Sequence, residues 1–183
     1  MKAHFFLAVP LMKSVKKSLY EWTQSVEQRF PFQRWVHQED YHLTLVFLGE
    51  VTSEQVMLLQ EKLKLLPFSP FMITINRIGT FGKQENPRVF WAGIKESEEL
   101  YRLREYVYKV CQEATFQLEK RPFSPHVTIA RKWKGESNYL PLMEKDTLDN
   151  LNSSFIVKDI VLYQTHMDRL PKYEVIQNFP LMK

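Results

Sequence analysis

Two four-residue segments constrain this chain more than any other feature: His42-Leu43-Thr44-Leu45 and His126-Val127-Thr128-Ile129, 84 residues apart (42 to 126). Strict polar/apolar alternation marks a half-buried strand, whose successive side chains point to opposite faces. Leu43 and Leu45 anchor one such strand in a core, and His42 and Thr44 are presented together on the opposite surface, about 7 Å apart. Val127 and Ile129 do the same for His126 and Thr128. With nine threonines in 183 residues and 44% apolar content, each histidine heads such a segment with a chance of about 1%, and two of five do so with a chance of ~0.001. Each copy follows a helix-containing stretch of similar length. The simplest arrangement is an α+β fold: two pseudo-symmetric lobes of mainly antiparallel sheet plus helices around a central cleft, interleaved within a single domain over residues 1–183.

Periodicity supplies the surrounding elements. Residues 4–9 read as a strand. Leu11, Val15, Leu19, Trp22, Val26 and Phe30 recur at helical spacing and predict a helix over 11–29. A strand over 41–48 follows, then a capping box at Thr52 and Gln55 opens a helix over 53–66 with Val56, Leu59, Leu63 and Leu66 as its buried stripe. Residues 71–75 alternate as a strand, 79–87 are expected as a loop, and 88–94 form a further strand. Ser97 caps a third helix whose apolar face is Leu100, Leu103, Val107, Val110 and Ala114. Beyond the strand 126–130, the polar and basic stretch 131–153 is expected to hold one short helix. Strands 155–164 and 173–179 close the chain, joined by a hairpin-like segment over 168–171.

Composition narrows the class. Thirteen Phe, eight Tyr and four Trp exclude disorder, and the single Cys111 closes no intramolecular disulfide. Cys111 lies beside the third helix's stripe and is expected to pack rather than react. Scattered histidines without paired carboxylates predict no metal and no cofactor. No run approaches the ~18 apolar residues of a membrane span. A soluble, cytoplasmic protein is expected, without membrane association or an obligate protein partner, and a monomer by default. The net charge of +4 permits an anionic partner without specifying one.

Two convergent imidazoles suit displacement at phosphorus, one taking a proton from water and the other giving one to the departing oxygen. Threonine hydroxyls at the same place donate hydrogen bonds to non-bridging phosphoryl oxygens without adding charge. At this point the sequence resembles the 2H phosphoesterase superfamily and, within it, the RNA 2′,3′-cyclic phosphodiesterase (2′-5′ RNA ligase) family. The resemblance runs nearly end to end: Phe6-Leu7-Ala8-Val9, Trp35, Phe47-Leu48-Gly49, Gly79-Thr80-Phe81, Arg88 to Gly93, Pro125, Ala130-Arg131 and Tyr173. It implies a bilobal α+β fold, metal-independent catalysis, and opening of a terminal 2′,3′-cyclic phosphate on RNA ends or nucleotides to a 2′-phosphomonoester. His42 and His126 carry over as catalytic residues, with His126 assigned the base and His42 the acid, and Thr44 and Thr128 carry over as substrate-binding residues. Two positions depart from the family pattern: His4 stands where Arg is frequent, and Gln164-Thr165 where the late strand tends to have Ser. Joining RNA halves through a 2′-5′ linkage at the same site, and an RNA-end-binding module without turnover, are the competing functions.

Arg131 is a further candidate for substrate binding, since its planar fork matches a phosphate. Strand parity places it on the core face unless the strand bulges near Ala130. Phe47, Phe81, Phe90, Trp91 and Phe123 are candidates for base stacking as a group, and Lys83, Arg88, Lys132 and Lys134 for an RNA backbone. Asp40, two residues before His42, is placed to orient an imidazole, but a solvent-facing role at a loop edge is the expectation.

Overall fold

A computed structural model describes residues 4–135 and 153–182. Among these residues, nine strands and three helices follow in the order β1 (His4–Pro10), α1 (Lys13–Val26), β2 (Phe32–Trp35), β3 (His42–Glu50), α2 (Ser53–Leu63), β4 (Phe71–Lys83), β5 (Asn86–Ile94), α3 (Glu98–Glu113), β6 (His126–Trp133), β7 (Ser153–Val157), β8 (Asp159–Thr165) and β9 (Tyr173–Pro180). A 3₁₀ turn over Gln38–Asp40 precedes β3. All strands join one sheet, ordered β7-β4-β5-β6-β3-β1-β8-β9, with β2 also paired to β6. Every named pairing is antiparallel. The α+β architecture expected from the repeated segments is thus present.

The sheet falls into two four-stranded halves that meet at β6 and β3. A single register pair, Leu43 opposite Val127, joins them. In each half the motif-bearing strand pairs antiparallel with the strand that preceded its helix: β3 with β1 around α1, and β6 with β5 around α3. The pseudo-symmetry is therefore a repeated strand–helix–strand path.

The helices form where periodicity places them, but α1 ends at Val26 and α2 at Leu63, short of the expected 29 and 66, with Phe30 and Leu66 still buried beyond their ends. The Thr52 side chain accepts from Gln55 N, and the Gln55 side chain returns to Thr52 N, completing the capping box of α2. Ser97 Oγ accepts from Leu100 N at the start of α3. Val15, Leu19, Trp22 and Val26 of α1, Leu59 and Leu63 of α2, and Leu100, Leu103, Val107 and Val110 of α3 share one core with Leu7, Val9, Leu43, Leu45, Val127 and Ile129. Each Leu or Val so buried contributes about 1.5–3 kcal/mol. All three helices thus cover the same face of the sheet. The opposite face carries a small cluster of Phe6, Ala8, Val161 and Tyr163 with Tyr173 packed on it, beside the cleft.

Three expectations are corrected. Residues 79–87 form the tip of a β4–β5 hairpin rather than a loop, with pairing that continues to Lys83 opposite Asn86. Gly79 is glycine because the Trp91 ring lies where its Cβ would stand, not because the chain turns there. The stretch 155–164 is two strands, one on β4 and one on β1, with Lys158 between them. A further strand, β2, was not expected; it lies along β6 through Phe32, Arg34 and Trp35. Residues 136–152, where a short helix was expected, lie outside the described residues. No helix among the described residues is long and apolar enough to cross a membrane.

Candidate active site

The Leu43–Val127 pair turns both leucine and valine into the core, so the residues flanking each must face the other way. Antiparallel register about this pair sets His42 toward Thr128 and Thr44 toward His126. All four side chains line one cleft of about 1040 Å³, together with Arg131, Phe47 and Tyr173. The two halves of the sheet thus contribute equivalent residues to a common site.

Each imidazole is held in the same way. His42 Nδ1 is 2.7 Å from the carbonyl oxygen of Asp40, and His126 Nδ1 is 2.7 Å from that of Ser124. A carbonyl oxygen only accepts, so Nδ1 carries the proton in both rings and, in the neutral form, Nε2 keeps the free lone pair. Aromatic rings fix the ring planes. Phe6 packs at 4.7 Å and Tyr173 edge-on at 4.8 Å from His42. Phe81 meets His126 edge-on at 4.9 Å, with Trp91 behind at 6.2 Å.

Asp40 corrects the expectation of a solvent-facing residue. It is 3% exposed, and its carboxylate accepts from Lys172 N at 2.8 Å and from Tyr173 N at 3.2 Å. One residue therefore carries the carbonyl that orients His42 and anchors the strand that lays Tyr173 on it. Its spacing from His42 was visible in the sequence, but its partners lie more than 130 residues away.

Burial lowers the pKa of His42 from 6.5 to about 4, against the opposing pull of the Asp40 carbonyl, and the positive charges of Lys16 and Arg131 add to the shift. His126 is also lowered, mainly by burial, with the Ser124 carbonyl opposing and Arg131 assisting. Both rings are therefore neutral near pH 7.

Arg131 reaches the cleft because β6 bulges. Trp91 pairs with Thr128 and Phe90 with Ala130, leaving Ile129 as the extra residue, and parity reverses beyond it. The same device recurs in β3, where Ala8 pairs with Thr44 and Leu7 with Val46, leaving Leu45 extra. Phe47 is consequently delivered to the cleft at the position equivalent to Arg131, and it is 59% exposed. A cation and an aromatic ring flank the paired His-Thr segments from opposite sides.

The other candidates separate. Phe123 lines the cleft, Phe90 is core and stacks on Phe30 and Phe32, and Phe81 and Trp91 buttress His126. Lys83 and Arg88 line the cleft; Lys132 and Lys134 are not among its lining residues. His4 and Thr165, the two departures from the family pattern, are register partners on β1 and β8, and both line it. Cys111 is buried and its thiol pushed up to about 12 by burial, so it is not poised as a nucleophile. His37 accepts from Glu39 N, and His166 meets Glu174, both outside the cleft's lining.

An antiparallel two-lobed sheet whose halves meet at paired His-x-Thr strands defines a two-histidine phosphoesterase. The chain belongs to the LigT-like phosphoesterase family, whose model matches residues 9–91 and 93–173. It is 42% identical to the RNA 2′,3′-cyclic phosphodiesterase of Geobacillus stearothermophilus over 99% of its own length and 58% of that relative's; the chain thus spans somewhat over half of that protein. It is 35% identical to the protein of the same name from Bacillus subtilis (strain 168), over 98% of this chain and 97% of that one. Among solved structures, E. coli LigT complexed with 3′-AMP has the same fold, with a TM-score of 0.80 at 23% identity over the full length of both chains. TT0787 of Thermus thermophilus superposes with a TM-score of 0.77 at 26% identity, covering 97% of each chain.

Proposed function

We propose that the chain is an RNA 2′,3′-cyclic phosphodiesterase, a metal-independent phosphoric diester hydrolase that opens a terminal 2′,3′-cyclic phosphate to a 2′-phosphomonoester. The observation that carries this reading is that two imidazoles, each with Nδ1 tied to the carbonyl two residues earlier, share one cleft with two threonine hydroxyls. The full-length match to a Bacillus protein bearing that name supports it.

In the proposed step, water adds to phosphorus and the bond from phosphorus to the 3′ oxygen breaks. His126 Nε2 takes the proton from water, which suits a ring held neutral by burial. His42 Nε2 gives its proton to the departing oxygen. An imidazolium whose pKa is depressed is a strong acid, and the anionic phosphodiester seated over it supplies the charge that lets it hold a proton until the bond breaks. Thr44 and Thr128 donate to the non-bridging oxygens, and Arg131 offers its fork to the same group.

The test is turnover, in EDTA, of a short RNA ending in a 2′,3′-cyclic phosphate. His42→Ala and His126→Ala are each expected to lower kcat by about 10²–10⁴-fold, with a 2′-phosphate as the wild-type product. A substrate with sulfur in place of the 3′ oxygen needs no acid, so it is expected to restore His42→Ala and not His126→Ala. Restoration of His126→Ala instead would reverse the two roles, and absence of wild-type turnover would sink the reading.

A further inference from the structure

We infer that the cleft continues past His126 onto α3 as a strand-binding subsite, centred on Arg104, that takes the phosphate and base of the nucleotide 5′ to the reacting one. This deepens the proposed function and rests on it. The same cleft that His126 lines is also lined by Arg104, Tyr108 and Phe123, and a neighbouring groove over Tyr101, Arg104 and Phe123 extends it along the helix. Arg104 therefore stands on the wall the two share.

The outer face of α3 is not built as an ordinary solvated face. With Leu100, Leu103 and Val107 in the core, helical spacing turns Tyr101, Arg104 and Tyr108 outward. The Arg104 guanidinium lies 4.2 Å from the centre of the Tyr108 ring and 5.5 Å from that of Phe123, and Tyr101 meets Phe123 edge-on at 5.6 Å. Arg104 Nε is buried without a hydrogen-bond partner among the described residues. The adjacent carboxylates are already engaged, Glu105 with Lys109 at 3.4 Å and Glu119 with Arg121 at 2.7 Å. A guanidinium held by aromatic faces, with an unmet donor and its neighbouring carboxylates committed elsewhere, is arranged for an incoming anion.

Position fits an RNA end. A 2′,3′-cyclic phosphate closes the 3′ end of a strand, so the rest of the RNA must leave the site in the 5′ direction. Phe123 is followed by Ser124, whose carbonyl holds His126, and the three residues from Phe123 to His126 span at most ~10 Å. A single strand covers that step in a nucleotide or two. Aromatic faces next to a cation are the arrangement that holds successive bases and phosphates of a single strand.

The experiment compares kcat/KM for a mononucleoside 2′,3′-cyclic phosphate and for a trinucleotide ending in the same group, in wild type, Arg104→Gln, Arg104→Lys and Tyr108→Leu, over a range of salt. The trinucleotide is expected to be the better substrate, with a log–log salt slope steeper by about 0.7 for each added phosphate contact. Arg104→Gln should lower kcat/KM on the trinucleotide by about tenfold and remove that added slope, leaving the mononucleotide within about twofold. Arg104→Lys should keep the slope, and its mononucleotide rate reports folding if the glutamine variant proves unstable. Equal wild-type rates on both substrates, or a parallel loss on both in folded variants, would overturn the subsite. If wild type turns over neither substrate, the phosphodiesterase reading fails by itself. Anisotropy of a labelled trinucleotide then decides the subsite: binding that weakens in Arg104→Gln supports it, and binding indifferent to Arg104 overturns it.

Discussion

The Asp40 carboxylate accepts from Lys172 N and Tyr173 N while the carbonyl of the same residue receives His42 Nδ1–H, so one buried residue fixes the tautomer of a single imidazole through its backbone and the aromatic wall through its side chain. Asp40→Asn keeps the size but turns one acceptor oxygen into a donor facing backbone N–H groups. The expected result is a loss of about 1–3 kcal/mol in stability and a fall in kcat of about tenfold with KM nearly unchanged, read from a denaturation curve and steady-state kinetics. A purely structural role would lower the amount of active enzyme without moving the pH profile; a positioning role shifts the limb that belongs to His42. The pH profile itself follows from burial. The proposed step needs one imidazole neutral and the other protonated, and burial lowers both, His42 to about 4. Raising pH through these depressed values removes the proton the acid requires, so kcat/KM should peak below histidine's ordinary 6.5. Bound phosphodiester raises both rings, so the basic limb of kcat should lie at higher pH than that of kcat/KM. Coincident limbs would mean that the substrate does not charge the pair.

At the scale of the element, the two motif strands were legible because alternation over four residues is a local signal, and the helices because their stripes and caps are local too. The bulges were not. Alternation lapses after each, at Leu45-Val46 and Ile129-Ala130, but a lapse marks a bulge and a strand end alike, and only the partners on β1 and β5 reveal that Leu45 and Ile129 are each an extra residue. That is why Arg131 appeared to belong to the core by parity and Phe47 could not be singled out from the other aromatics. Gly79 misled for a related reason: glycine marks loops in a sequence, and here it marks a close approach of Trp91 to a strand. Gly79→Ala places a methyl group against that ring. The Trp91 ring must move, and with it the Phe81 ring 5.3 Å away that abuts His126. The variant is expected to lose about 1–3 kcal/mol of stability, change its tryptophan fluorescence, and lose kcat more than it gains KM. Unchanged fluorescence together with unchanged kcat would show that the hairpin absorbs the methyl without touching the site.

Across the whole molecule, what no local pattern could encode is the exchange of strands between the two halves. The chain leaves β7 on the edge of one half and enters β8 in the other at Lys158, inside a stretch read from the sequence as one strand although Lys158-Asp159 interrupts its apolar residues. The repeat nonetheless predicted the result, because two equivalent strands must present equivalent faces to make one cleft. The site is divided: His42 and Thr44 belong to one half, His126, Thr128 and Arg131 to the other, and a single register pair couples them. Leu43 and Val127 are fully buried, so Leu43→Ala should cost about 2–5 kcal/mol. If that seam sets the separation of the two imidazoles, a double-mutant cycle of Leu43→Ala with Val127→Ala should be non-additive in kcat as well as in stability, with a coupling of about 0.5–3 kcal/mol. The effect on kcat should be larger than on KM, because threonine and arginine donors can follow a bound phosphate while an acid and a base on opposite halves cannot both stay in line with it. Additive losses in stability with untouched kcat would instead place the alignment of the halves in the shared helical core, and leave the seam as packing alone.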